Sequence, residues 1–311
     1  MTIVYRRHQY QGGEVTFATR ADRNDPFSLA LRGDWKPDTH TLAASQLLGA
    51  NDLFLDLGAN VGTFCLPTAK ATGASCVAVE ALRSNIPPLQ AAIAANELER
   101  QVEWWLAAIT EKEGEVKISG ESAYGTVQTV GQGRRVLSYS LDGLMNELGW
   151  PRVTMVKMDI EGCEMRALQG AKKFFEKNPD VIFIYEANAA HCYSNSYQPQ
   201  ALIRYFEDRG NIVYLARAGR IIRRTSSDLQ ESGVSDYIAC PFPLEDRLRG
   251  FLFSDFDTAY KIGEVVRMLT KMKPGYRLQM VSQMDLAEAR IRDDPQVTAL
   301  CAKVREFPKN D

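Results

Sequence analysis

Histidine is scarce in this chain, three in 311 residues, which leaves little from which to assemble a zinc ligand set. The six cysteines, at 65, 76, 163, 192, 240 and 301, form no Cys-x-x-Cys pair, so reduced thiols in a cytoplasmic setting are expected. No apolar run approaches the roughly 20 residues that a membrane-spanning helix needs. Arg6, Arg7 and His8 have no apolar stretch behind them, so neither a secretory leader nor a membrane span is expected. An excess of one charge is lacking too. Lys and Arg number 37 against 39 Asp and Glu, a formal net charge of -2, which argues against a nucleic-acid partner held by a broad basic surface. Internal repeats and low-complexity stretches are absent. What remains is 45% hydrophobic and 24% charged, the make-up of a folded chain that buries a core without disulfides or metals.

From residue 52 onward, compact apolar strands alternate with helical stretches. Leu53-Phe54-Leu55, Cys76 to Val79, Val102 to Leu106, Val153 to Met158, Val181 to Tyr185, Ile212 to Leu215 and Tyr237 to Ala239 read as strands. Helices are expected over 39–48, 63–72, 85–96, 163–176 and 200–209. Such alternation predicts a parallel-dominated sheet with helices on both faces. Glu115 to Ile118 reads as a hairpin partner of Val102 to Leu106, and residues 119–135 as a long loop or lid. Two further helices are expected over 259–272 and 280–292, around Lys273-Pro274-Gly275. Three uses are open to them: packing back on the sheet, forming a homodimer surface, or capping a substrate.

The chemistry is concentrated at three strand ends. Leu55-Asp56-Leu57-Gly58-Ala59-Asn60-Val61-Gly62 is a buried strand running into a turn whose residues tolerate positive φ. Glu80 ends the next strand 18 residues after Gly62, where a carboxylate can accept both hydroxyls of a ribose. The third glycine of a dinucleotide fingerprint is missing, and Asp56 stands at the strand end. An acid there repels a pyrophosphate and suits a ligand with a cationic end, such as S-adenosylmethionine. The third element is Lys157-Met158-Asp159-Ile160-Glu161-Gly162-Cys163-Glu164, with Asp159 at a strand exit. An acidic first helical turn accounts for Glu164 and for part of Glu161, but poorly for Asp159.

These runs, with Ser140-Leu141-Asp142 and Gly170-Ala171, resemble the FkbM family of S-adenosylmethionine-dependent methyltransferases from about Asp52 to Cys240. The resemblance implies a Rossmann-like, seven-stranded class I methyltransferase sheet in an α/β fold, and methyl transfer mostly to hydroxyl oxygens of sugars or secondary metabolites. By match, Asp56, Gly58, Asn60 and Gly62 would surround the methionine part of the donor, and Glu80 its ribose. Residues 1–50 then form an N-terminal β/helix extension, 51–243 the methyltransferase domain, and 244–311 a C-terminal helical extension.

A hydroxyl acceptor must lose its proton, so a base within reach is useful. The candidates are Asp159, which also belongs to the donor site, Glu186 at a strand end, and His191 in a loop beyond it. Asp159 and Glu186 together offer oxygens to a divalent metal, Mg²⁺ or Ca²⁺, although no metal ligand set is assigned. Arg217, Arg220, Arg223 and Arg224 read as a solvated hairpin. Trp104 and Trp105 point to opposite faces of their strand, one into the core and one toward a helix. Tyr124, Tyr193 and Tyr197 lie in loops that could floor a small-molecule or glycan acceptor. Two other classes stay open at this point. One is an NAD(P)-dependent oxidoreductase on a related sheet, and the other a non-catalytic binding module that keeps the fold.

Overall fold

The computed structural model describes residues 2–120, 125–128, 133–228 and 233–256. The chain divides into two compact units, Met1–Phe253 and Ser254–Asp311. The helices expected over 259–272 and 280–292, and Tyr124, lie outside the described residues.

A hairpin, β1 (Ile3–Tyr10) with β2 (Gly13–Arg20), leads to α1 (Pro26–Arg32) and α2 (Thr39–Leu47). Asp25 is the cap of α1, accepting the Ser28 N–H at 2.9 Å. Alternation then begins with β3 (Leu53–Leu57), α3 (Cys65–Thr72), β4 (Ser75–Glu80), α4 (Ile86–Ala95) and β5 (Val102–Leu106). Four short strands follow, β6 (Ala108–Ile109), β7 (Gly114–Ser119), β8 (Thr126–Gln128) and β9 (Arg134–Tyr139), and then α5 (Leu141–Glu147). Next come β10 (Met155–Met158), α6 (Glu164–Gln169), α7 (Lys172–Lys177), β11 (Ile182–Asn188), α8 (Ala189–Ser194) and α9 (Pro199–Glu207). β12 (Ile212–Arg217), β13 (Arg220–Arg224), β14 (Val234–Cys240) and β15 (Leu252–Asp255) complete the described elements.

The main sheet runs β15-β13-β12-β14-β11-β10-β3-β4-β5. Seven of these strands, β5 through β12 in that order, form the expected Rossmann-like sheet, and β13 and β15 extend its edge to nine. β3, β4, β5, β10 and β11 pair in parallel, while β14 inserts antiparallel between β11 and β12. Successive side chains of a strand face opposite sides, and both sides are covered. Phe54, Met155, Ile182 and Ile184 share one core with residues of β2, α2, α3 and α4. Phe183 and Tyr185 face the other way, into an aromatic cluster with Phe174, Phe206 and Tyr237.

Several expectations are corrected. β7 does not pair with β5; it pairs with β8 and β9 in a separate four-stranded sheet, β6-β9-β7-β8. The 119–135 stretch therefore carries parts of three strands among its described residues, which its polar composition hid. Trp104 and Trp105 both stay out of the core, Trp104 at 37% exposure, because β5 is the sheet edge. The helix expected over 163–176 is two helices. At the joint, a Cβ on Gly170 would lie 2.8 Å from Ser140 Cβ and 2.9 Å from the Glu111 carbonyl oxygen. Asp142 then caps the second helix, accepting the N–H groups of Lys173 at 3.0 Å and Phe174 at 2.8 Å. His191 lies in the short helix α8 rather than in a loop, because Asn188 accepts the Ala190 N–H and caps it.

Candidate active site

The carboxyl ends of β3, β4, β10 and β11 lie side by side. Between β3 and β10 the strand order reverses, which is where open α/β sheets bind ligands. A cavity of about 310 Å³ opens there, lined by Asp56, Gly58, Asn60, Glu80, Lys157, Asp159, Glu161 and Glu186 among others. Ile118 and Gly125, from the small sheet and the segment just before β8, and Phe27 of α1 complete parts of its wall.

Asp56 is fully buried and accepts the Cys65 N–H at 3.2 Å through Oδ2, while Oδ1 has no hydrogen-bond partner among the described residues. Burial pushes its proton affinity up, and Lys157, its register neighbour on β10, pulls it down. Glu80 Oε2 accepts the Asn60 N–H at 2.7 Å and Oε1 the Leu82 N–H at 2.6 Å. Burial nevertheless raises its carboxyl to about 7. Asn60 takes the left-handed conformation, φ 53°, as its place in the turn required.

The two glycines serve the protein before they serve a ligand. A Cβ on Gly58 (φ 87°) would overlap the Asp159 carbonyl oxygen. One on Gly62 (φ 91°) would meet Leu66 and Leu89 at 2.6 and 3.1 Å. Gly62 does not line the cavity, so its role is packing between the turn and α3 and α4.

Asp159 is paired with Lys157, Nζ to Oδ2 2.7 Å. Burial alone would depress the lysine, but Asp159 and Asp56 outweigh it and hold the ammonium charged. Glu186 sits beside Asp236 across the β11–β14 ladder. Burial, then the charges of Asp159, Glu161 and Asp236, push its carboxyl up to about 10. Asp236 faces His40 of α2, Oδ2 to Nδ1 3.5 Å. Burial would lower His40, but Asp236 prevails and raises it.

The loop after β10 is built around Glu164. Its Oε1 accepts the Ile160 N–H at 3.0 Å and the Gly162 N–H at 3.3 Å, and the Tyr197 hydroxyl lies 3.0 Å from Oε2. Tyr197 therefore braces this loop. Between the two tethered amides stands Glu161, at φ 56°. Its Oε2 lies 2.7 Å from His191 Nδ1, so His191 reaches the cavity through Glu161 and is not itself in the wall.

Asp56, Gly58, Asn60, Glu80, Asp159 and Glu186 are thus brought together, while Gly62 and His191 stand one layer out. Sequence reasoning passed over Lys157, Glu161, His40 and Asp236. Lys157 carried a signal, since a lysine inside an apolar strand requires an acid beside it. His40 and Asp236 carried none, because only the sheet order joins α2 to β14. Among the described residues no group of three or more His, Cys, Asp and Glu is arranged to hold a metal, so the divalent ion considered for Asp159 and Glu186 finds no ligand set. No helix among them is long and apolar enough to cross a membrane.

Comparison with the curated proteins gives no match. Among solved structures, M. jannaschii TYW2 with AdoMet is 15% identical and aligns over 77% of this chain and 85% of its own, TM-score 0.40. The T. thermophilus 16S rRNA N2 G1207 methyltransferase, with AdoMet and guanosine, is 16% identical over 78% and 51%, TM-score 0.41. An O-methyltransferase from Bacillus cereus in complex with SAH is 13% identical over 71% and 82%, TM-score 0.36. These scores are low, and no argument about this chain rests on them. A family model, the methyltransferase FkbM domain, matches residues 56–213. That span covers just over half of the chain and every strand end described above, and the chain belongs to the FkbM methyltransferase family.

Proposed function

We propose that this methyltransferase takes its methyl group from S-adenosylmethionine and delivers it to a hydroxyl of a sugar, glycan or secondary metabolite. The observation that carries the donor assignment is how the turn after β3 spends its amides. The Gly58 and Ala59 N–H groups both donate to the Val79 carbonyl, at 2.8 and 3.0 Å, and the Asn60 N–H donates to Glu80. A pyrophosphate cradle needs such amides free, and here they are consumed. The wall also presents five carboxyl groups, Asp56, Glu80, Asp159, Glu161 and a protonated Glu186, against one ammonium already paired to Asp159. That field opposes NAD(P) and favours a ligand bearing an ammonium and a sulfonium.

The residues fit such a donor. Asp56 Oδ1 is a buried acceptor without a partner, suited to an ammonium. Glu80 accepts the amides of Asn60 and Leu82 and a side-chain hydrogen bond from Asn85, and a carboxylate with three such donors still has acceptor capacity for a ribose hydroxyl. Leu82, Ala107, Ile109 and Ile118 supply apolar wall. When bound, S-adenosylmethionine supplies a methyl group activated by the sulfonium. The chain's part is to hold the acceptor oxygen in line, and such alignment is worth about 7–11 kcal/mol of barrier. Glu186, neutral at pH 7, can donate a hydrogen bond to an acceptor oxygen, and the Asp159 carboxylate, anchored by Lys157, can accept one. The five described cysteines are buried and free, which supports a reducing, cytoplasmic setting.

Calorimetry on the purified chain tests the donor. S-adenosylmethionine and S-adenosylhomocysteine should bind, NADH should not, and Glu80→Gln should weaken both nucleosides at least tenfold. Tight NADH binding would replace this reading with the oxidoreductase one. Binding of none of the three would leave a non-catalytic module.

A further inference from the structure

We infer that Glu161 is the general base that takes the proton from the acceptor hydroxyl, with His191 beside it as a positioning residue. The inference rests on the hydroxyl-methylation reading above.

It begins from how each carboxylate in the cavity is engaged. Asp56 accepts the Cys65 amide and, in the reading above, takes the donor's ammonium, while Glu80 accepts the amides of Asn60 and Leu82 and takes its ribose. Asp159 is locked to Lys157 at 2.7 Å. Glu186 is crowded by three other acids and holds its proton at neutral pH. Among the described residues of the wall, only Glu161 combines a carboxyl that takes no backbone amide with an imidazole on its far side, His191 at 2.7 Å.

The backbone is shaped for that orientation. Glu161 adopts φ 56°, a conformation unfavourable for a side-chain-bearing residue unless its surroundings enforce it. The Glu164 carboxylate enforces it by accepting the amides on either side, Ile160 and Gly162. Gly162 must lack a side chain, since a Cβ there would lie 3.0 Å from the His191 carbonyl oxygen. The close approach of the loop to α8 is what brings the imidazole to Glu161. Around Glu161, burial and the charges of Asp159, Glu164 and Glu80 raise its proton affinity, and Lys157 opposes them, leaving the carboxyl near 7. A base poised there is matched to neutral pH.

The step balances. As the acceptor oxygen forms its bond to the methyl carbon, the carbon–sulfur bond breaks and its electron pair stays on sulfur. The hydroxyl proton passes to the Glu161 carboxylate. From the Glu161 carboxyl it is then released to water.

The test follows S-adenosylhomocysteine formation with methyl α-glucopyranoside and catechol as hydroxyl probes, beside calorimetric donor affinity. Glu161→Gln should lower the rate at least 100-fold with donor affinity within twofold of the parent. The parent's rate should rise with pH through an inflection near 7. His191→Asn should keep measurable turnover but move that inflection, which a merely structural role would not do. If Glu161→Gln retains more than half of the rate, Glu161 is not the base, and the hydroxyl-methylation reading stands. If the parent binds the donor but turns over neither probe, that reading fails, and this inference with it.

Discussion

Glu186 carries a cost that can be measured. Its carboxyl titrates near 10 in the folded chain, against about 4.3 in an unfolded one. Between those values the folded chain binds a proton that the unfolded chain releases, so this group's contribution to stability falls as pH rises above about 4.3. Glu186→Gln keeps the shape and removes the titration. It should raise stability in urea unfolding by up to about 4 kcal/mol at pH 7.5, and the advantage should vanish near pH 4. Equal stabilities at pH 7.5 would mean that Glu186 is ionised in the folded state. The sequence placed Glu186 in the crevice but not its protonation, because that depends on Asp236 and Asp159, neighbours only through strand pairing. Glu161 was hidden for a different reason. An acid in a first helical turn has a sufficient local explanation, and only the two amides held by Glu164 show that the chain is not yet helical there.

At the scale of elements, the family-like motifs separate into those that face the cavity and those that build its supports. Asp142 illustrates the second kind. It lies outside the cavity wall and binds the first-turn amides of α7, which have no partner within the helix. Asp142→Ala should lower stability by about 1–2 kcal/mol with an unchanged urea m-value and unchanged donor affinity. A loss of donor affinity at unaltered stability would place Asp142 in the site instead. The parallel strands and the helices that follow them were legible because each is a local pattern: a buried apolar run, a turn, an apolar stripe. The small sheet was not. β6 has two residues, β8 has three, and β9 alternates buried Val136 and Ser138 with exposed Leu137, so no stretch of it carries a clean period. Among the described residues its buried core is Leu82, Ala108, Ile118 and Val136, with Ala81, Leu106 and Val116 packed against it. Yet Ile118 and Ala108 reach the cavity, so the least legible element forms part of the site wall.

The whole molecule binds its first residues more closely than their composition suggested. Residues 1–50 read as an extension because their pattern differs from the alternation that follows. Val15, Phe17 and Ala18 are nevertheless fully buried in the same core as Phe54, Leu66 and Leu89. Phe17 packs edge-on against Trp35 at 4.7 Å, Asn96 of the α4 end bonds both the N–H and the carbonyl of Thr16, and the Tyr10 hydroxyl donates to the Pro67 carbonyl. The hairpin thus covers α3 and α4, the two helices that hold the donor turn in place through Leu66 and Leu89 against Gly62. An appendage could be trimmed without consequence; a layer of the core cannot. Phe17→Ala should cost about 3–5 kcal/mol in a single cooperative urea transition. Tyr5→Ala, on the same hairpin at a side chain 54% exposed, should change stability by less than about 0.5 kcal/mol. The coupling extends to the site, since S-adenosylmethionine binds only the folded chain and must recover part of the Phe17→Ala loss by mass action. If Phe17→Ala instead melted the hairpin in a separate early transition, with the donor-stabilised transition unmoved, the first fifty residues would be an independent layer, and the donor turn would stand without them.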